Sequence, residues 1–190
     1  MTIDILTQNE FHDVSFLELQ LEGMEYTNKI FENCKFIRIN FNEARFISCK
    51  FIECDFESCN LSSIKITNSS FVDVVFKDSK LIGINWTQAK WAYIRANAPI
   101  RFCQSNISYA SFYGLDLKEI IIEECKAHEV DFREADLSGG IFLSTDFYRS
   151  QFVHTKLNSA NFISAINYSI NPNENDIRKR AKNFEKHIKD

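Results

Sequence analysis

The chain has 190 residues and a formal net charge of −4, so it is long enough for one domain with a sizeable core and lacks the positive balance of a general nucleic-acid binder. It contains 18 Phe but only 5 Gly and 2 Pro, an uncommon combination for a chain built on ordinary turns. No apolar run approaches the roughly 20 residues of a membrane helix. MTIDILTQNE has no basic segment followed by an apolar one, which sets the expectation of a cytoplasmic protein whose six Cys are free thiols.

Residues 1–10 carry Ile3 and Ile5 in alternation, the pattern of a short strand that covers whatever follows. From Phe11 a large apolar residue then returns at every fifth position. The series is Phe11, Phe16, Leu21, Tyr26, Phe31, Phe36, Phe41, Phe46, Phe51, Phe56, Leu61, Ile66, Phe71, Phe76, Leu81, Trp86 and Trp91. A helix repeats every 3.6 residues and a strand every 2, so neither explains it. The chain has to turn a corner every five residues. Two positions before each large residue stands a small one, such as Cys34, Ala44, Cys49, Cys54, Cys59 or Ser69; the other three positions are largely polar. Two residues in five therefore point inward and three outward.

The count fails at Ala96 and Arg101 and resumes one residue late at Phe102, which reads as a one-residue insertion within AYIRANAPI (92–100). Tyr93, Ile94, Arg95 and Asn97 are expected to leave the scaffold in a loop over 92–101, where specificity commonly sits; a neutral bulge is the alternative. The series then runs from Phe102 to Phe162, with Ala127 its one small member, and stops at Asn167. The tail, 171–190, places Ile177, Ala181, Phe184 and Ile188 at helical spacing, with Asn173 or Asn175 as the cap. Ile177, Phe184 and Ile188 are expected to cover the open end of the scaffold or to form a homodimer contact through it.

Cys34, Cys49, Cys54, Cys59 and Cys125 all occupy the small inward position, where Cys acts as a small hydrophobe. Cys103 follows Phe102 and is expected to be the accessible thiol. The four His are scattered, His128 standing outward near Glu129 and Asp131, and no phosphate loop, nucleophile elbow or metal motif is present. A tube packed with Phe leaves no cleft. The sequence therefore points to a protein with no catalytic residues, metal or cofactor.

The repeat resembles that of the pentapeptide-repeat family: a small residue, Asp or Asn, Leu or Phe, a small polar residue, and often Gly. ADLSG (135–139) fits throughout; ANFIS (160–164) and CNLSS (59–63) fit closely. The resemblance covers residues 11–166. It implies an all-β, right-handed quadrilateral β-helix of about eight coils of about twenty residues, to which the helical spacing in the tail adds a short C-terminal α-helix. The domains would be 1–170 for the β-helix and 171–190 for the cap or dimer tail. Stacking at intervals of twenty gathers Phe11, Phe31, Phe51, Phe71, Trp91, Phe112, Phe132 and Phe152 on one face. Outward on that face this register places Glu10, Asp13, Glu32, Glu53, Asp73, Asp131 and Glu134 against Lys50, Lys90 and Arg133, a net charge of −4.

RFCQSNISYASF (101–112) and DLSGGIFLSTDF (136–147) further resemble the quinolone-resistance, Qnr-type members. That resemblance implies a dimeric rod mimicking B-form DNA, with a type II topoisomerase (DNA gyrase or topoisomerase IV) as its protein partner and with no direct nucleic-acid or membrane contact. The single break falls where those proteins place their larger loop, whereas residues 11–91 run without their smaller one. A structural or regulatory interaction module with an unrelated protein partner is the second reading.

Overall fold

In a computed structural model the structure describes residues 5–91 and 100–177. The chain winds into a four-sided β-solenoid. The large apolar residues sit at the middle of short strands, such as Glu10–His12 and Ser15–Leu17, or directly after a bridge residue, as Leu21 and Phe41 follow Gln20 and Asn40; nearly all are buried, Trp91 only partly. Two residues later the backbone enters the left-handed region, at Asp13 (φ 57°), Glu18 (φ 53°), Asn33 (φ 51°), Arg38 (φ 54°) and on around the tube. This residue turns the corner.

For a non-glycine residue that conformation costs about 1 kcal/mol. The cost is offset because corner N–H groups along most of the tube donate to the next coil, as from Asp13 to Glu32 O at 3.1 Å, Glu18 to Ile37 O at 2.9 Å and Glu53 to Val72 O at 2.8 Å. The ladder therefore supplies what glycine would otherwise supply, and only four glycines stand at corners.

Coils pair in parallel at intervals of twenty: Phe11 with Phe31, Phe31 with Phe51, and Phe51 with Phe71. The second face runs through eight rungs at Phe16, Phe36, Phe56, Phe76, Phe102, Ile122, Phe142 and Phe162. At the spacing of paired strands this makes a rod roughly 40 Å long. Rings stack along the axis and meet edge-on around it. Phe36 lies 5.1 Å from Phe16 and 4.5 Å from Phe56 in stacked pairs, and 5.3 Å from Phe31 edge-on. Both arrangements suit the ring quadrupole.

The small inward residues form hydrogen-bonded columns. Cys59 N–H donates to Ser79 Oγ at 3.0 Å, Ser79 N–H to Ser105 Oγ at 3.0 Å, Ser105 N–H to Cys125 Sγ at 3.5 Å, and Cys125 N–H to Thr145 Oγ1 at 3.2 Å. The cysteines satisfy backbone groups in the same way, Cys49 and Cys54 donating to Tyr26 O and Phe31 O at 3.3 and 3.4 Å. All six are free, and all but half-buried Cys103 are buried. Burial pushes the Cys59 thiol up to about 11 and Cys125 up to about 12.

Three sequence expectations change. First, Phe76 pairs with Phe102, twenty-six residues on, so the insertion is six residues and not one. The five-residue count could not see this, because five of the six keep the phase. Beyond it, Trp86 stacks on Phe112, which continues to Phe132 and Phe152 on the fourth face. The first face continues instead through the Asp116, Asp136, Lys156 and Asp176 bridges, with Leu117, Leu137 and Leu157 inside. The all-aromatic face therefore ends at the insert.

Second, the tube continues past residue 170. Asn175 takes the inward small position, accepting from Thr155 N–H at 2.9 Å and donating to Asn171 O at 2.8 Å. It closes a coil and does not cap a helix. Residues 172–174 form a turn, and half-buried Ile177 packs against the core; Ala181, Phe184 and Ile188 lie outside the described residues. Third, residues 5–7 form a turn and not a strand, although Ile5 is buried as a cover.

Candidate interaction surfaces

The outward positions of the first face carry Glu10, Asp13, Glu32, Glu53, Asp73, Asp116, Glu119, Asp136 and Asp176 against Lys50, Lys90, Lys118 and Lys156. Asp13, Glu32, Glu53 and Asp73 thus lie on one face as expected. Asp131 and Glu134 do not; the true length of the insert puts them on the fourth face, where Arg133 holds Asp131 at 2.8 Å. The carboxylates gained beyond the insert keep the first face acidic along the rod.

Part of that charge is already partnered. Glu32 meets His12 at 3.1 Å, Asp73 meets Arg101 at 3.1 Å, and Asp116 meets Lys118 at 3.1 Å. Asp13 accepts a hydrogen bond from Asn33. Burial opposes ionisation of Asp136, but hydrogen bonds from Ser138 and the nearby Lys118 and Lys156 hold its carboxyl below the usual range. Glu10, Glu53 and Glu119 form no ion pair among the described residues.

Tyr93, Ile94, Arg95 and Asn97 lie outside the described residues. Of the described residues that flank them, Trp91 is on the first face and Ile100 on the second.

The sequence reading missed a third surface. At the corner between the third and fourth faces, the left-handed positions are Gly23, Glu43, Ser63 and Gly83 before the insert, and Tyr109, Glu129 and Arg149 after it. Tyr109 is 59% exposed, Tyr148 45% and Tyr113 41%. Arg149 lies over the Tyr148 ring at 5.2 Å, and Arg133 over Tyr113 at 5.6 Å. His128 bonds Asp146 at 2.7 Å and meets Tyr148 edge-on, so Glu129 and Asp131 are not its partners. The signal was present as aromatic residues at outward positions of the five-residue frame.

A second missed residue is Lys29, which stands at a small inward position and is 5% exposed. Its ammonium donates to Leu6 O and Gln8 O and lies 5.9 Å from the Phe11 ring, closing the first coil with a charge.

Two shallow depressions have volumes of about 380 Å³, over Pro172–Ile177, and about 240 Å³, between Lys35, Asp55 and Val75. Among the described residues no three His, Cys, Asp or Glu converge to hold a metal, and no helix is long and apolar enough to cross a membrane.

A family profile described as pentapeptide repeat region matches residues 9–86 and 29–112, and one for pentapeptide repeats (8 copies) matches 128–163. The chain belongs to the pentapeptide-repeat family. No curated protein matches it. Among solved structures of pentapeptide-repeat proteins, full-length QnrB1, a plasmid-mediated fluoroquinolone resistance protein, is 20% identical with a TM-score of 0.46, over 86% of this chain and 91% of that one. HetL, involved in heterocyst differentiation regulation in the cyanobacterium Nostoc, is 13% identical with a TM-score of 0.37, over 88% and 86%. A protein of the Arabidopsis thaliana thylakoid lumen is 13% identical with a TM-score of 0.24, over 62% and 68%.

Proposed function

We propose that this pentapeptide-repeat protein is a non-enzymatic rod that binds a type II topoisomerase, DNA gyrase or topoisomerase IV, in the bacterial cytoplasm. Its first face takes the place of DNA, and the contact shields the enzyme from quinolones or gyrase-poisoning toxins. The observation that supports this reading is the acidic line on the first face, which stays in phase across the insert. It places about one carboxylate on each rung. A duplex carries one charge per roughly 1.7 Å, so the mimicry is partial and steers encounter more than it supplies affinity. Tyr93, Ile94, Arg95 and Asn97 supply specificity.

The test is supercoiling by purified gyrase across a titration of the protein, with and without a fluoroquinolone. The expected result is inhibition or drug relief that weakens in Glu53→Lys and Glu119→Lys, mainly at low salt. No effect and no binding at large molar excess leaves the rod as an interaction module for a different protein.

A further inference from the structure

We infer that two copies of this chain associate side by side and antiparallel through the corner between the third and fourth faces. The inference does not depend on the identity of any other partner. It starts from area. Each face offers one three-residue strand per rung, roughly 10 Å wide, so a single face presents about 400 Å². A stable interface needs about 800 Å² from each partner. A contact on this tube therefore has to span a corner.

Among the described residues only the third–fourth corner turns aromatic beyond the insert, with Tyr109 and Tyr148 on one side and Tyr113 on the other. Tyr109 occupies a left-handed corner (φ 61°), the only aromatic ring apart from His154 at such a position among the described residues. A bulky side chain held there gains nothing in the core and stands open to contact. Tyr and Arg on a preorganised surface are the composition of interface centres.

The identity of the occupant follows from charge and period. Glu129 and Arg149 stand on successive rungs of the corner column but form no ion pair among the described residues; the guanidinium lies over Tyr148 instead. A two-fold axis passing between their rungs sets Glu129 of each copy against Arg149 of the other. The same axis sets His128 against Tyr148, and Tyr109 beside the rung of Ile166, which is 50% exposed. Such a contact is self-complementary, residue i meeting j and j meeting i. A second copy also has the same rung spacing, so side chains interdigitate along the whole contact. The acidic first face lies away from this corner and stays open.

The test is sedimentation of the full chain over a range of micromolar concentrations, with circular dichroism to confirm folding. Wild type is expected to be dimeric. Glu129→Arg and Arg149→Glu should each weaken the dimer at least about tenfold, and the double reversal should restore it. A second contact variant, Tyr109→Ser, should weaken it without charge change. A monomeric wild type overturns the inference. So does a dimer indifferent to both reversals, a folded double reversal that stays monomeric, or a dimer lost only in Phe184→Asp, which assigns the contact to the tail.

Discussion

Before the insert the aromatic residues point inward; after it several point outward. Residues 11–91 hold the stacked columns Phe11–Phe31–Phe51–Phe71 and Phe16–Phe36–Phe56–Phe76, and none of the exposed tyrosines. Residues 102–166 replace part of those columns with Leu117, Ile122, Leu137 and Leu157, and place Tyr109, Tyr113 and Tyr148 in solvent. One fold thus carries two emphases: the first stretch is specified mainly by ring packing, and the second has surface chemistry to recognise something. The insert divides them without breaking the ladder.

The largest blow to that contrast is Phe36→Ala. It removes a ring packed on four sides and should cost about 3–5 kcal/mol, more than Ile122→Ala on the same face. Urea unfolding of both variants checks this, and a reversed order removes the distinction between the stretches.

Gly140→Ala comes next. An added Cβ would stand 2.6 Å from the Phe142 ring and 2.9 Å from Leu137 O, whereas Cys34 and Cys54 fit at the corresponding positions of earlier coils. A loss of about 1–3 kcal/mol is expected. A neutral result in thermal melts means the later core is loose enough to move the ring.

Tyr26→Phe should act in the opposite direction. The Tyr26 hydroxyl is buried without a partner, and burial pushes its pKa up to about 12 from 10.0. Removing it should raise stability by about 1 kcal/mol. The raised value also sets a sign: the unfolded phenol ionises near pH 10 while the folded one keeps its proton, so this contribution is complete below pH 10 and falls as pH rises towards 12. Tyr26→Phe should lose less stability over that window, as followed by circular dichroism; parallel curves refute it.

The smallest effect is on labelling. Cys103 should be the first thiol modified, yet slowly at neutral pH, because burial and Glu123 raise its pKa. Mass spectrometry that finds Cys49, Cys54 or Cys59 modified earlier, in folded protein, contradicts the packing of the first stretch.

The repeat made the fold legible, because a five-residue spacing of Phe leaves no other way to bury the rings. Its weakness was the same periodicity. Five of the six inserted residues are invisible to a count in fives, so Asp131 and Glu134 were carried to the wrong face while Asp13, Glu32, Glu53 and Asp73 were placed correctly. Asn175 looked like a helix cap because it precedes the helical spacing of Ile177, Ala181, Phe184 and Ile188, and its role depends on a hydrogen bond to a coil twenty residues back. Lys29 was unreadable for the same reason: its partners, Leu6 O and Gln8 O, belong to the end of the tube and to no repeat. The aromatic corner was readable from outward positions, but only the structure brings Tyr109, His128 and Tyr148 to neighbouring rungs.

The jump from Phe76 to Phe102 has a wider consequence. Each coil takes its alignment from the coil beneath it and not from a running tally along the chain, so the winding resets after an interruption. Lengthening a corner therefore leaves every later rung in place, and the cost of extra loop residues grows only logarithmically. Corners such as the one at Gly83 are natural ports for grafted peptides, and a segment placed there would be held at a known height and compass direction on the rod.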